Sequence, residues 1–224
     1  GLGADEFIVG TTRDHIESVE PILECYQATC YLIDDLPETF RSGNAHESLR
    51  VSLDFSESDW LIPADLDEFY QFPEDLKNLT AYMSRKGVWL TGGVLSDRIA
   101  RDGSLASDQL EPSIWRQYPL EADISQRLVR GVCSKVALCR STVSLSVGHH
   151  FSRSHRVAGF DTVVHHFKWR KGVLEVLQRR LNLRRRQRTP SWVESYRILM
   201  YFRNRDRFDL RDFAWKEGWI PSGF

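Results

Sequence analysis

A chain of 224 residues with 42% hydrophobic side chains is long enough to bury a core, and 27% charged residues is ordinary for a globular protein. No run approaches the roughly 18 apolar residues of a membrane span, and nothing at the start reads as a signal peptide. The net charge of −1 conceals a split, because His165 to Phe224 carries 15 Lys and Arg against 6 Asp and Glu, leaving 15 against 25 in the rest.

In chain order, Glu6–Gly10 (EFIVG) predicts a short buried strand. It lies so close to Gly1 that the sequence reads as one that has lost its beginning. His15–Gln27 predicts a helix, with Ile16, Val19, Ile22 and Leu23 at helical spacing and Asp14 as its cap. Thr29–Pro37 (TCYLIDDLP) predicts a second strand, Asn44–Ser56 a second helix, and Asp59–Asp65 (DWLIPAD) a third strand. A third helix is expected from near Pro73 to Gly87, then strand-like sequence over Val88–Ala100. This alternation predicts an α/β fold with a mainly parallel sheet and helices on both faces. Gly103–Asp123 has little periodicity and reads as a long loop of the kind that often carries function. Two short strands with a tight connection are expected within Ser134–His150, and another within Phe160–Trp169. From Lys171 the chain turns basic and helical, and Pro190 opens a new segment. Trp192, Tyr196, Tyr201, Phe202, Phe208, Phe213 and Trp215 are expected to pack as a small helical cap. The organisation expected is a domain over 1–170 and a basic, aromatic-rich helical extension over 171–224. Cys25, Cys30, Cys133 and Cys139 lack metal-binding spacing and read as buried reduced thiols, which favours a cytoplasmic setting.

One stretch, "SDWLIPADLDEFY" (Ser58–Tyr70), raises a question of charge. An apolar run leads into Asp65, Asp67 and Glu68, which repel one another unless a cation lies among them. In an open parallel sheet, ligands bind beyond the carboxyl ends of the strands. Hard divalent cations, Mg²⁺ or Mn²⁺, take one or two carboxylates plus substrate phosphates. Asp65 and Asp67 are therefore the candidate metal ligands, and Glu68 could orient them or bind a sugar hydroxyl.

The segment "DWLIPADLDEF" resembles the D-x-D-E-F segment of family-2-like glycosyltransferases with the GT-A (Rossmann-like) fold. "GVLSDRIARDGSL", "QYPLEADIS", "SKVALCR", "VGHH" and "VVHHFKW" are similar, in order, to further segments of a bacterial branch of that group. The likeness runs over roughly Ala4 to Arg185. It departs at the start: the family's opening strand is absent, and "VGTTRD" keeps only Asp14 of a nucleotide-binding loop. The resemblance implies inverting transfer from a nucleotide-sugar donor to a glycan or lipid-linked acceptor, such as a surface polysaccharide. It also implies a Mn²⁺ or Mg²⁺ cofactor held by Asp65 and Asp67, with a late histidine completing the shell, a role that falls to His150.

Neighbours on a strand face opposite sides, so one histidine of each doublet, His149-His150 and His165-His166, could point into a site. His149, His166, Asp14, Glu68, Arg98, Lys135, Lys168 and Arg170 are expected on the donor side. Arginine can clamp phosphate, and fixed cations would stabilise a leaving diphosphate. One carboxylate must take the acceptor's proton. Asp97, Asp108 and Glu111 are the candidates, with Asp97 the choice.

Arg179–Arg188 holds six arginines in ten residues beside an apolar stripe of Leu174, Leu177 and Leu181. It reads either as a helix packed on the acidic body or as a peripheral contact with an anionic membrane, at the inner face of the cell membrane; nucleic-acid binding has the least support. Two rival functions use the same residues. One is a metal-dependent nucleotidyltransferase or phosphohydrolase; the other is a degenerate GT-A domain that only binds.

Overall fold

The structure is a computed structural model. It describes residues 5–11, 13–25, 27–32, 53, 55–107, 109, 112–159, 161–186 and 192–222, apart from the side chains of Asp14, His15, Ser18 and Val147. Most of the helix expected over Asn44–Ser56, and Asp108 and Glu111, lie outside these residues. The chain forms two compact units, one from 1–64, 72–93 and 134–162, the other from 65–71, 94–133 and 163–224.

In the first unit, β1 (Ile8–Thr11), α1 (Arg13–Cys25) and β2 (Thr29–Leu32) form the expected βαβ element, with Val9 opposite Cys30 in a parallel pair. Asp14 lies inside α1 rather than before it, so it is not the N-cap residue. β3 is only Trp60–Leu61 and runs antiparallel to β7 (Ser134–Arg140). α2 (Leu76–Arg85) starts three residues after Pro73 because the Asp75 carboxylate accepts from Lys77 N at 2.8 Å, satisfying one of the free N–H groups of the first turn. Its Leu79 and Met83 pack with Leu138, Trp60 and Phe72. A second cluster joins Leu90, Val136, Cys139, Val143 and Leu145.

In the second unit, β4 (Glu68–Gln71) pairs antiparallel with β8 (Thr162–His166). β5 (Leu90–Ile99) begins in the first unit, and its second half pairs antiparallel with β6 (Leu120–Ala122). β6 pairs in turn with β9 (Trp215–Glu217). A short helix, α3 (Ile114–Gln117), lies in the stretch expected as loop. α4 (Val173–Arg186) and α5 (Trp192–Tyr201) contribute Leu177 and Ile198 to a core with Ile99, Leu120, Ile124, Trp169, Phe202 and Phe208. Of the expected aromatic cap, Tyr201, Phe202, Phe208 and Phe213 do pack ring against ring.

The fold is α/β, but the expected mainly parallel sheet is corrected: β1–β2 is a parallel pair, whereas β3–β7, β4–β8, β5–β6 and β6–β9 all run antiparallel. Parallel strands need a crossover of a dozen or more residues. A crossover of that kind joins β1 and β2 through α1. The cysteine expectation also changes, since all four are free but Cys25 and Cys133 are exposed. Among the described residues, no helix is long and apolar enough to cross a membrane.

Candidate functional site

The acidic cluster forms a turn that precedes a strand, rather than the end of one. Glu68 N donates to Asp65 O at 3.0 Å, closing the turn that opens β4. Asp65 stays exposed, Asp67 is half-buried, and Glu68 turns inward. The Tyr70 hydroxyl donates to Glu68 Oε2 at 3.0 Å. Burial, then the charges of Glu68, Asp65 and Asp67, push the Tyr70 phenol far above its ordinary range. The three acids therefore share one negative field.

Phe167 N donates to Asp67 O at 2.7 Å, extending the β4–β8 ladder and placing Asp67 beside His166. His166 Nε2 lies 3.6 Å from Asp67 Oδ2. Its Nδ1 donates to Asp97 Oδ1 at 3.0 Å. Asp97, on β5, is 2% exposed. Its carboxylate accepts three further hydrogen bonds: Ser125 N at 2.6 Å, Ser125 Oγ at 2.9 Å and Trp169 Nε1 at 2.8 Å. Burial alone would raise its pKa, but His166, Ser125 and Trp169 outweigh it and hold the group below the usual carboxylate value. Lys168 lies in the same environment, its ammonium 5.0 Å from the Trp169 ring. Burial lowers its pKa, and the Asp97 charge opposes that shift.

Arg98, next to Asp97, points the other way and has no exposed surface. Its Nε donates to Tyr118 O at 3.0 Å, and its Nη1 to Trp219 O at 3.1 Å and to Glu121 Oε1 at 3.3 Å. Trp115 and Phe167 flank the guanidinium at 5.3 and 5.6 Å. His165 shares this side, with Nε2 3.1 Å from Gln71 Oε1 and Nδ1 3.7 Å from Glu121. Burial and the Arg98 charge push its imidazole down to about 4, against Glu121, so it is neutral at pH 7.

The remaining predicted residues divide. Arg170 sits half-buried at the turn before α4, where its carbonyl accepts from Val173 N. Lys135, His149 and His150 belong to the first unit. Lys135, expected on the donor side, is buried on β7. His149 has a positive φ of 58° in a 3₁₀ turn, and His150 Nδ1 lies 2.8 Å from Ser134 O. The structure thus joins Asp67, His166, Asp97 and Lys168 in one place, with Asp65 and Glu68 on the adjoining turn. Sequence reasoning missed Ser125 and Trp169. Each closes a segment that carries the resemblance, Ser125 in "QYPLEADIS" and Trp169 in "VVHHFKW", and that is the signal that could have found them.

Among the described residues, no group of three or more His, Cys, Asp or Glu is arranged to hold a metal ion. Compared with known proteins, the chain matches no protein-family model and no curated relative.

Proposed function

We propose that this chain is a metal-dependent glycosyltransferase. It would move a sugar from a nucleotide-sugar donor to a glycan or lipid-linked acceptor, with inversion at the anomeric carbon. The observation that carries the reading is the line Asp67–His166–Asp97. Asp97, ionised and buried, takes the Nδ1 proton bond and so fixes the imidazole tautomer. The Nε2 atom lies 3.6 Å from the Asp67 carboxylate. A cation would take the place between them that a proton can also take, with the imidazole nitrogen and the carboxylate oxygen as its two protein ligands. A metal-bound histidine commonly gives its other ring N–H to a carboxylate, as His166 does.

The donor set, carboxylate oxygen and imidazole nitrogen, suits Mn²⁺ better than Mg²⁺, which favours oxygen. A protein that offers so few ligands suits a cation taking the others from a diphosphate and water. In this reading Asp67 and His166 hold the cation, Asp65 is near enough in sequence to join, and His166 takes the part that the resemblance gave to His150. When bound, the cation would neutralise charge growing on the leaving diphosphate. Lys168 adds a fixed positive charge at the same place. Asp97 is a positioning residue, since four donors already occupy its carboxylate. Asp108 and Glu111 are left as candidates for the general base. Arg98, held by Glu121 and two carbonyls, serves the interior.

One observation favours a second reading, a domain that binds without catalysis: "VGTTRD" keeps only Asp14 of the nucleotide-binding loop that the resemblance calls for. Thermal stability measured with a panel of nucleoside diphosphates, with and without Mn²⁺, separates the two. The first reading expects a rise that needs both nucleotide and metal and is lost in Asp65→Ala and Asp67→Ala. No rise with any nucleotide in a folded sample would leave the second. Phosphate hydrolysis or exchange without a sugar acceptor would instead point to a nucleotidyltransferase or phosphohydrolase.

A further inference from the structure

The basic helix α4 has two faces of different use. Leu177 and Leu181 are buried in the core, with Val173 and Leu174 packed against it. Arg184 lies on the inner side, 3.9 Å from Glu194, and the Arg185 guanidinium stacks over Trp192 at 5.0 Å and Tyr196 at 5.7 Å. Part of the arginine run therefore serves the packing of α4 on α5.

The other face is different. Val176, Arg179, Arg180, Leu183 and Arg186 recur at spacings of three and four, so they form one stripe. All five are exposed, Val176 at 42% and Leu183 at 55%. Among the described residues, none of these three arginines has a carboxylate within salt-bridge distance. Glu175 is the one acid of the helix. Three such cations alternate here with two exposed aliphatic side chains on a helix face that the rest of the unit does not cover.

We propose that this outward stripe of α4 is a docking surface for an anionic lipid bilayer. The arginines supply attraction to acidic headgroups, and Leu183 and Val176 enter the interface between them. The aliphatic pair is what favours a bilayer over a nucleic acid, because a phosphodiester backbone offers aliphatic side chains nothing to bury against. None of the five residues makes a contact in the Asp67–His166–Asp97 line, although the Arg180 charge reaches Lys168.

Cosedimentation of the full chain with vesicles tests it, using phosphatidylcholine alone and phosphatidylcholine mixed with phosphatidylglycerol. Binding is expected to the mixed vesicles only, weakening as salt rises. Each arginine near an anionic surface is worth roughly a fivefold change in partition, so R179Q/R180Q/R186Q should lower binding about a hundredfold. L183A should lower it by a few-fold at both low and high salt. An unchanged melting temperature shows that the variants remain folded. Equal binding to neutral and anionic vesicles, or wild-type binding by the folded triple variant, would overturn the proposal. So would tight binding of a DNA or RNA oligonucleotide with no binding to vesicles.

Discussion

His165 and His166 are neighbours on β8, and the pleat sends them into opposite surroundings. On one side, Arg98 and His165 meet Glu121, which also holds Lys216 Nζ at 3.2 Å and accepts from Trp219 N at 3.1 Å. Trp219 stacks on His165 with ring centres 5.7 Å apart, so β9 and the residues just beyond it close this side. On the other side, Asp97 is answered by a hydroxyl and an amide from Ser125, an indole and an imidazole. The first network balances charge against charge away from solvent, although Arg98 Nη2 and His165 Nδ1 find no hydrogen-bond partner within it. The second leads out to Asp67, which is half-buried. The difference teaches that access, more than completeness, separates a charged interior that fixes register from one that a ligand can reach.

Breaking the closed side should have the largest effect on stability and little on ligand binding. Arg98→Met takes the buried cation away from Glu121, leaving it only the exposed Lys216, and should cost about 3–5 kcal/mol in chemical denaturation. The fraction that stays folded should keep any metal-dependent nucleotide binding. Gly218→Ala comes next. A Cβ there would run into the Arg98 guanidinium and lie 2.8 Å from Pro119 O, and a loss of about 2–3 kcal/mol is expected in the same assay.

The pH dependence sharpens the contrast. His165 titrates near 4 in the fold, whereas a free histidine titrates near 6.5. Between those values the unfolded chain binds a proton that the folded chain does not. Stability is therefore present above pH 6.5 and lost as pH falls toward 4, by about 2 kcal/mol from this residue. His165→Gln should flatten that slope in denaturation curves taken across the window. Asp97, whose pKa is lowered, adds its loss only below the ordinary carboxylate range. The smallest effect is expected for Trp169→Phe, which removes one of the bonds to Asp97 and should cost about 1 kcal/mol while loosening His166.

Much of the local structure was legible in the sequence. The βαβ element of Ile8–Leu32, the helix ending before Gly87 and the two C-terminal helices follow from spacing, although the cap read at Asp14 does not. The direction of the strands was not legible. The two-residue β3, and the three-residue β6 and β9, are too short to carry a period, and β9 was hidden among aromatic residues. Without them, a rhythm of strands and helices reads as crossovers. For the site, Asp67, Asp97, His166 and Lys168 were named in the sequence; the roles expected of Asp67 and Lys168 carry over into the proposal, whereas those of Asp97 and His166 change. Alternation shows that Asp97 and Arg98 diverge; it does not say which of the two meets a histidine. That depends on β8 lying where it does, a contact between residues some seventy positions apart. The doublet His149-His150 looks the same in sequence as His165-His166, yet it lies in a 3₁₀ turn with one positive φ instead of in a strand.

The most direct test uses the adjacent pair. Binding of Mn²⁺ in the presence of a nucleoside diphosphate, followed by loss of the free-ion electron paramagnetic resonance signal, should be measured for the wild-type chain, Asp67→Asn, His166→Gln and His165→Gln. The account predicts tight binding in the wild type, kept in His165→Gln in whatever fraction is folded, and lost in Asp67→Asn and His166→Gln. Retained binding in His166→Gln, or binding lost equally in both histidine variants while each stays folded, would contradict it.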